Sequence, residues 1–84
     1  MSKWDKLISK LYKLDSGLRF SELEKILEFF GYQKVETGSS HITFRKEGKS
    51  PITIPRHKNI KKIYIRLVQQ AVVEEMEAGE YEDN

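Results

Sequence analysis

The sequence predicts an α+β domain in which helices cover one face of a three-stranded antiparallel sheet, in the order helix, helix, strand, strand, strand, helix. Three observations predict it. Residues 41–45, His-Ile-Thr-Phe-Arg, alternate so that Ile42 and Phe44 point to one side and His41, Thr43 and Arg45 to the other, the pattern of a strand with one buried face. Ile52 and Ile54 repeat the apolar half with Thr53 between them, and the intervening Lys-Glu-Gly-Lys-Ser reads as the turn of a hairpin. Upstream and downstream, the apolar residues recur at helical spacing, so both flanks can lie on the apolar side of that hairpin. The chain of 84 residues holds one small domain, with an N-terminal helical extension over residues 1–17, a core over 18–73 and an acidic tail over 74–84.

In chain order, Trp4, Leu7, Ile8, Leu11, Tyr12 and Leu14 form an amphipathic stripe with Lys6, Lys10 and Lys13 between them, and Asp15-Ser16-Gly17 ends that first helix. Ser21 reads as the N-cap of the second helix, with Glu24 completing a capping box and Phe20 just before it. Leu23, Ile26, Leu27 and Phe30 are its buried stripe, and Gly31 is its C-terminal cap. Residues 32–36 form a weaker first strand with Val35 as its clearest apolar member, and a turn at Thr37, Gly38 and Ser39 leads into the His41 strand. After Pro55 a basic loop carries Arg56, His57, Lys58 and Asn59, the last an expected N-cap. The final helix shows Ile60, Ile63, Tyr64, Leu67, Val68, Ala71 and Val72 on one expected core face. Without the first helix, the order αβββα is that of a double-stranded-RNA-binding domain.

Composition narrows the function. There is no cysteine, so no disulfide framework or thiolate metal site is expected. The N-terminus lacks the apolar run of a signal peptide and no stretch approaches a membrane span, so a soluble, cytoplasmic protein is expected. The net charge of +2 hides an asymmetry: residues 74–84 hold six acids and no base, leaving all fifteen Lys and Arg against seven acids in residues 1–73. Such a basic domain suits a polyanion, because Lys and Arg displace the counterions condensed on phosphates. Lys58, Lys61 and Lys62 crowd the start of the last helix, where positive charge opposes the helix dipole, a pattern that suits an anionic partner. Neither a His-Glu-x-x-His motif nor a phosphate-cradling glycine loop occurs, which argues against a metal enzyme or a nucleotide hydrolase.

Residues 18–72 carry a more specific signal. A helix followed by Gly-Tyr, the run Gly38-Ser39-Ser40-His41-Ile42-Thr43-Phe44-Arg45, a turn, then Ile52-Thr53-Ile54-Pro55-Arg56-His57 and a helix resembles the HicA family of toxin ribonucleases. The resemblance implies a fold like the double-stranded-RNA-binding domain, cleavage of messenger RNA with one essential histidine, and inhibition by a HicB-type antitoxin. The family commonly has Gly-Ser-His where this chain has one more serine. Matching backwards from Phe44 keeps the histidine three residues before the strand phenylalanine and leaves the extra residue in the turn, which absorbs insertions more easily than a strand. The resemblance therefore carries the catalytic role to His41.

The chemistry suits that assignment. RNA is cleaved when its own 2′-hydroxyl attacks the adjacent phosphorus, a base taking that proton and an acid protonating the departing 5′-oxygen, and imidazole performs both tasks near neutral pH. No metal or other cofactor is required. Thr43 and Arg45 share the His41 face and can bind a phosphate, as can Ser40 in the turn and Arg56, Lys58, Lys61 and Lys62 beyond the hairpin. His57 can supply the complementary acid or base, bind a phosphate with Arg56 and Lys58, or satisfy a backbone carbonyl; it is assigned to RNA binding. The expectation is a monomeric messenger RNA ribonuclease of toxin type, blocked by an antitoxin. Its rivals are a module that binds structured RNA without cutting it and a protein-interaction domain that meets an acidic partner. The acidic tail serves either as a solubilising extension of the last helix or as a competitor that folds over the basic face.

Overall fold

The computed structural model, which describes residues 2–36 and 38–77, sets three helices against one face of a three-stranded sheet. The helices are α1 (Lys3–Tyr12), α2 (Phe20–Phe29) and α3 (Lys62–Glu77), and the strands are β1 (Gln33–Glu36), β2 (His41–Arg45) and β3 (Ile52–Pro55). The sheet is an antiparallel meander in the order β1-β2-β3, so the αβββα order and the α+β class read from the sequence are those of the fold. No helix among the described residues is long and apolar enough to cross a membrane.

Alternation in the hairpin does what the sequence predicts. Ile42 and Phe44 of β2 lie opposite Ile54 and Ile52 of β3, and all four are buried beneath the helices, while His41 and Arg45 are exposed and Thr43 is half-buried on the other side. Leu23, Ile26 and Leu27 of α2, Ile65, Val68 and Val72 of α3, and Leu7 and Leu11 of α1 complete one continuous core. Strand β1 departs from the expectation. Val35 pairs with Thr43 on the uncovered face and is 37% exposed, whereas Lys34 and Glu36 take the helix-side positions opposite Phe44 and Ile42. That side of an edge strand lies at the rim of the core, where Lys34 reaches Glu24 of α2 at 2.6 Å. The buried member of the segment is Tyr32.

The helix ends are set by local hydrogen bonding. Ser2 caps α1 by accepting from the Asp5 backbone N–H at 3.1 Å. Leu14, expected within the helix, lies beyond it with φ +54°; the Leu14 and Asp15 N–H groups fold back on the carbonyls of Leu11 and Lys10. For α2 the N-cap is Arg19 rather than Ser21. Glu22, not Glu24, accepts the Arg19 backbone N–H at 2.9 Å, and Phe20 is the first helical residue. Gly31 closes α2 as expected, with φ +94°, while Gly31 and Tyr32 donate to the carbonyls of Glu28 and Leu27 in a Schellman arrangement.

The expected stripe of α3 holds at Ile60, Val68 and Val72, which are buried, and at Tyr64 and Ala71, which pack on the core, but shifts at one edge. Ile63 is 64% exposed and Leu67 41%, while Ile65, absent from the expected stripe, is fully buried. With Ile65, Val68 and Val72 centre the buried face roughly 85° from the middle of the expected stripe, at about 100° per residue. The cause is α1, which packs along the Gln69 and Met76 side of α3. The Gln69 side-chain amide donates to the Leu11 and Tyr12 carbonyls at 3.2 and 3.0 Å, and the Tyr12 hydroxyl reaches Met76 Sδ at 2.8 Å. The helix also starts later than a cap at Asn59 implies: its first turn closes on the Lys61 carbonyl, which accepts from Tyr64 and Ile65.

Candidate active site

His41 opens β2 at the sheet's outer rim, directly opposite Pro55, the last residue of β3. Its backbone is held by the preceding turn: the His41 N–H donates to Ser39 Oγ at 3.1 Å, and the same hydroxyl donates to the His41 carbonyl at 3.1 Å. Such a serine turn fixes the chain locally without consuming the side chain that follows. One residue past the ladder, the Arg56 N–H donates to the Ser40 carbonyl at 2.7 Å, which prolongs the pairing of the two strands and delivers His57 to the same rim. The two imidazole rings stand 6.5 Å apart, centre to centre, with their planes inclined by 58°. Both side chains are exposed, and among the described residues neither ring is engaged in a hydrogen bond. Among the described residues the His57 ring satisfies no backbone carbonyl.

The other expected binding residues divide into three groups. Lys58, Lys61 and Lys62 are exposed on the loop and first turn that follow His57, and among the described residues none of them makes an ion pair. Arg56 alternates away from the histidine face. Its guanidinium lies 5.4 Å from the Phe20 ring centre and 3.5 Å from Glu36, so a carboxylate already competes for it. Thr43 shares a hydrogen bond of 3.1 Å with Thr53, its cross-strand neighbour. Arg45 occupies the other end of β2 opposite Gln33, four residues and roughly 13 Å from His41 at the usual strand rise. Ser40 is exposed in the turn, its carbonyl taken by Arg56.

An open groove of about 550 Å³ runs from His57 along residues 16–21, with Arg19 and Lys58 on its walls. A second concavity, of about 660 Å³, is formed by Gly31, Gln33, Arg45, Lys46 and Glu47 at the opposite end of the sheet. The first adjoins the only place among the described residues where two imidazoles meet. A family model described as the HicA toxin of bacterial toxin-antitoxin systems matches residues 20–71, more than half of the chain, and spans both histidines. The chain belongs to the HicA toxin family. As a HicA protein it is a toxin of a toxin–antitoxin pair, and such a toxin has an antitoxin partner. No curated protein and no solved structure matches it.

The HicA match begins at the first residue of α2 and leaves α1 outside. Two residues of the candidate site were not singled out by sequence reasoning. Ser39 anchors His41, and its signal was present as a serine two residues before a strand start. Arg19 lines the groove beside His57 from a segment distant in sequence, which no local pattern discloses.

Proposed function

We propose that this HicA-family chain is a ribonuclease that cleaves messenger RNA without metal, with His41 as the catalytic acid/base. The observation that carries the reading is the juxtaposition of His41 with a second imidazole on a rim flanked by lysines that, among the described residues, make no ion pair. An imidazole there meets RNA from solvent, and Lys58, Lys61 and Lys62 supply the charge that holds the backbone; His57, Ser40 and Thr43 complete the near part of the surface. Arg56 contributes once RNA phosphate displaces Glu36, and Arg45 contacts a more distant nucleotide. A HicB-type antitoxin neutralises the toxin by covering His41, and the toxin alone is a cytoplasmic monomer.

The reading is tested by incubating a long single-stranded RNA in EDTA with the wild type and with His41→Ala, both checked for folding by circular dichroism. Cutting by the wild type alone is the expected result. Binding without cutting by either protein would make the chain an RNA-binding module, and equal cutting by both would remove His41 from the catalytic role. Loss of RNA cleavage on adding the HicB-type antitoxin, with cleavage retained on adding an unrelated acidic protein, tests the partner.

A further inference from the structure

We propose that His57 is a second catalytic residue, which together with His41 forms an acid–base pair across a single phosphate; this rests on the ribonuclease reading above. The separation of the rings decides it. A direct imidazole–imidazole hydrogen bond of about 2.9 Å brings ring centres to roughly 5 Å, closer than the 6.5 Å found here, so the two rings are not partners of each other. A phosphate seated over the gap receives one hydrogen bond of about 2.8 Å from each ring, within the reach that general acid–base catalysis requires. The 58° inclination shows that the two rings are not stacked on each other. The backbone that carries each ring is held in place, at His41 by Ser39 and just before His57 by the Arg56–Ser40 bond that extends the hairpin.

In the step proposed, one histidine enters neutral and the other protonated. The neutral imidazole takes the 2′-hydroxyl proton as the 2′-oxygen bonds to phosphorus. The bond from phosphorus to the 5′-oxygen breaks, and the imidazolium gives its proton to that oxygen. The products are a 2′,3′-cyclic phosphate and a free 5′-hydroxyl, and the pair ends with its protons exchanged, to be reset through solvent.

The test separates a proton donor from a phosphate binder. The wild-type cleavage site is mapped on a long RNA, and an oligonucleotide spanning it is made with either oxygen or sulfur at the bridging 5′ position, sulfur being a leaving group that needs no proton. Wild type, His41→Ala, His57→Ala and His57→Gln are compared at saturating protein in single turnover, with affinities measured on the all-deoxy oligonucleotide. The expected result is a loss of about 10²-fold or more in the single-turnover rate for His57→Ala and His57→Gln on the oxygen substrate. Affinity should stay within threefold, and one of the two alanine variants should be restored by the sulfur substrate while the other is not. Weakened affinity with an unchanged saturating rate would overturn the proposal and leave His57 a binding residue, as would a failure of sulfur to restore either variant. A wild type that cuts neither substrate would sink the ribonuclease reading itself, an outcome separate from those two because they are scored against a wild type that cuts.

Discussion

Glu75 illustrates how much a single side chain can hold. It is 7% exposed on α3, and its Oε1 meets Lys46 Nζ at 2.7 Å, while that same ammonium donates to the Phe30 carbonyl at 2.8 Å. Its Oε2 has no hydrogen bond and sees only Lys49, at 3.7 Å. One carboxylate thus ties the turn of the β2–β3 hairpin to α3 and, through Lys46, to the end of α2. Because both lysines retain access to water, the full cost of breaking a buried pair does not apply. Glu75→Gln is expected to lose about 1–3 kcal/mol of stability in urea denaturation. Beside this cluster, burial first and then the Glu75 and Glu74 carboxylates push the Tyr32 phenol above its ordinary value. The sign follows: the unfolded chain ionises first as pH rises past about 10, so stability present below that pH is lost until the folded phenol titrates as well. Tyr32→Phe should flatten the decline measured by urea denaturation between pH 9 and 11; an unaltered decline would show that the exposed lysines account for it. Gly31 is the third residue of this neighbourhood. Its φ of +94° lies where a side chain is strained, although the nearest atoms an added Cβ would meet belong to the Lys46 side chain, with Cε at 3.5 Å. Gly31→Ala should therefore cost about 1–2 kcal/mol through backbone strain alone.

Elements were legible in the sequence where one neighbour determines their burial, and illegible where two compete. The β2 strand needed only alternation, because a single helical layer covers it, and Gly31 ended α2 because little else tolerates its backbone angle. For α3, periodicity placed Ile63 and Leu67 on the core face with Val68 and Val72 and left Ile65 out; which edge of the stripe is buried depended on α1, some fifty residues away in sequence. The caps of α1 and α2 failed for a related reason. Leu14 accepts a left-handed conformation that costs about 1 kcal/mol, which its packing on the core and Gln69's bonds to the helix end offset. Glu22 sits nearer than Glu24 to the true cap, and Glu24 is held by Lys34 instead. The corrected phase of α3 has a direct check in chemical denaturation. Ile65→Ala should destabilise by about 2–5 kcal/mol as a cavity in the core, whereas Ile63→Ala should stay within about 0.5 kcal/mol. Equal losses at both positions would contradict the orientation of the helix. At the site, His41 and its face were readable from the strand, but the approach of His57 required the hairpin register, and Arg56 turned inward because each step along a strand reverses the side.

The molecule as a whole is polarised from end to end. The loop before α3 brings Lys58, Lys61 and Lys62 to the histidine end, where among the described residues they are unpaired; α3 then runs to the hairpin end, where Glu74 and Glu75 meet Lys46 and Lys49. Among the described residues, the lysines of the hairpin turn are thus paired with carboxylates, and the three lysines beside the histidines are not. Residues 78–84, which hold three of the tail's six acids, lie outside the described residues. A cut after Val73 would remove Glu75 along with them and loosen the hairpin, so competition by the tail has to be tested by a cut after Glu77, with RNA affinity at low salt as the readout. The polarity itself makes a sharper prediction. On single-stranded RNA, every phosphate that a protein ceases to neutralise lowers the slope of log affinity against log salt by about 0.7. Replacing Lys58, Lys61 and Lys62 together by Gln in a His41→Ala background, which prevents cutting, should reduce that slope by about 2 if all three meet the backbone. Replacing Lys46 and Lys49 should leave it unchanged, because those ammonium groups already serve Glu75. Fluorescence anisotropy between 50 and 200 mM NaCl measures both slopes. Equal reductions would mean that RNA wraps the whole sheet and that the ion pairs at the far end yield to it; a reduction confined to the three loop lysines would place the backbone's path along the rim that holds His41 and His57.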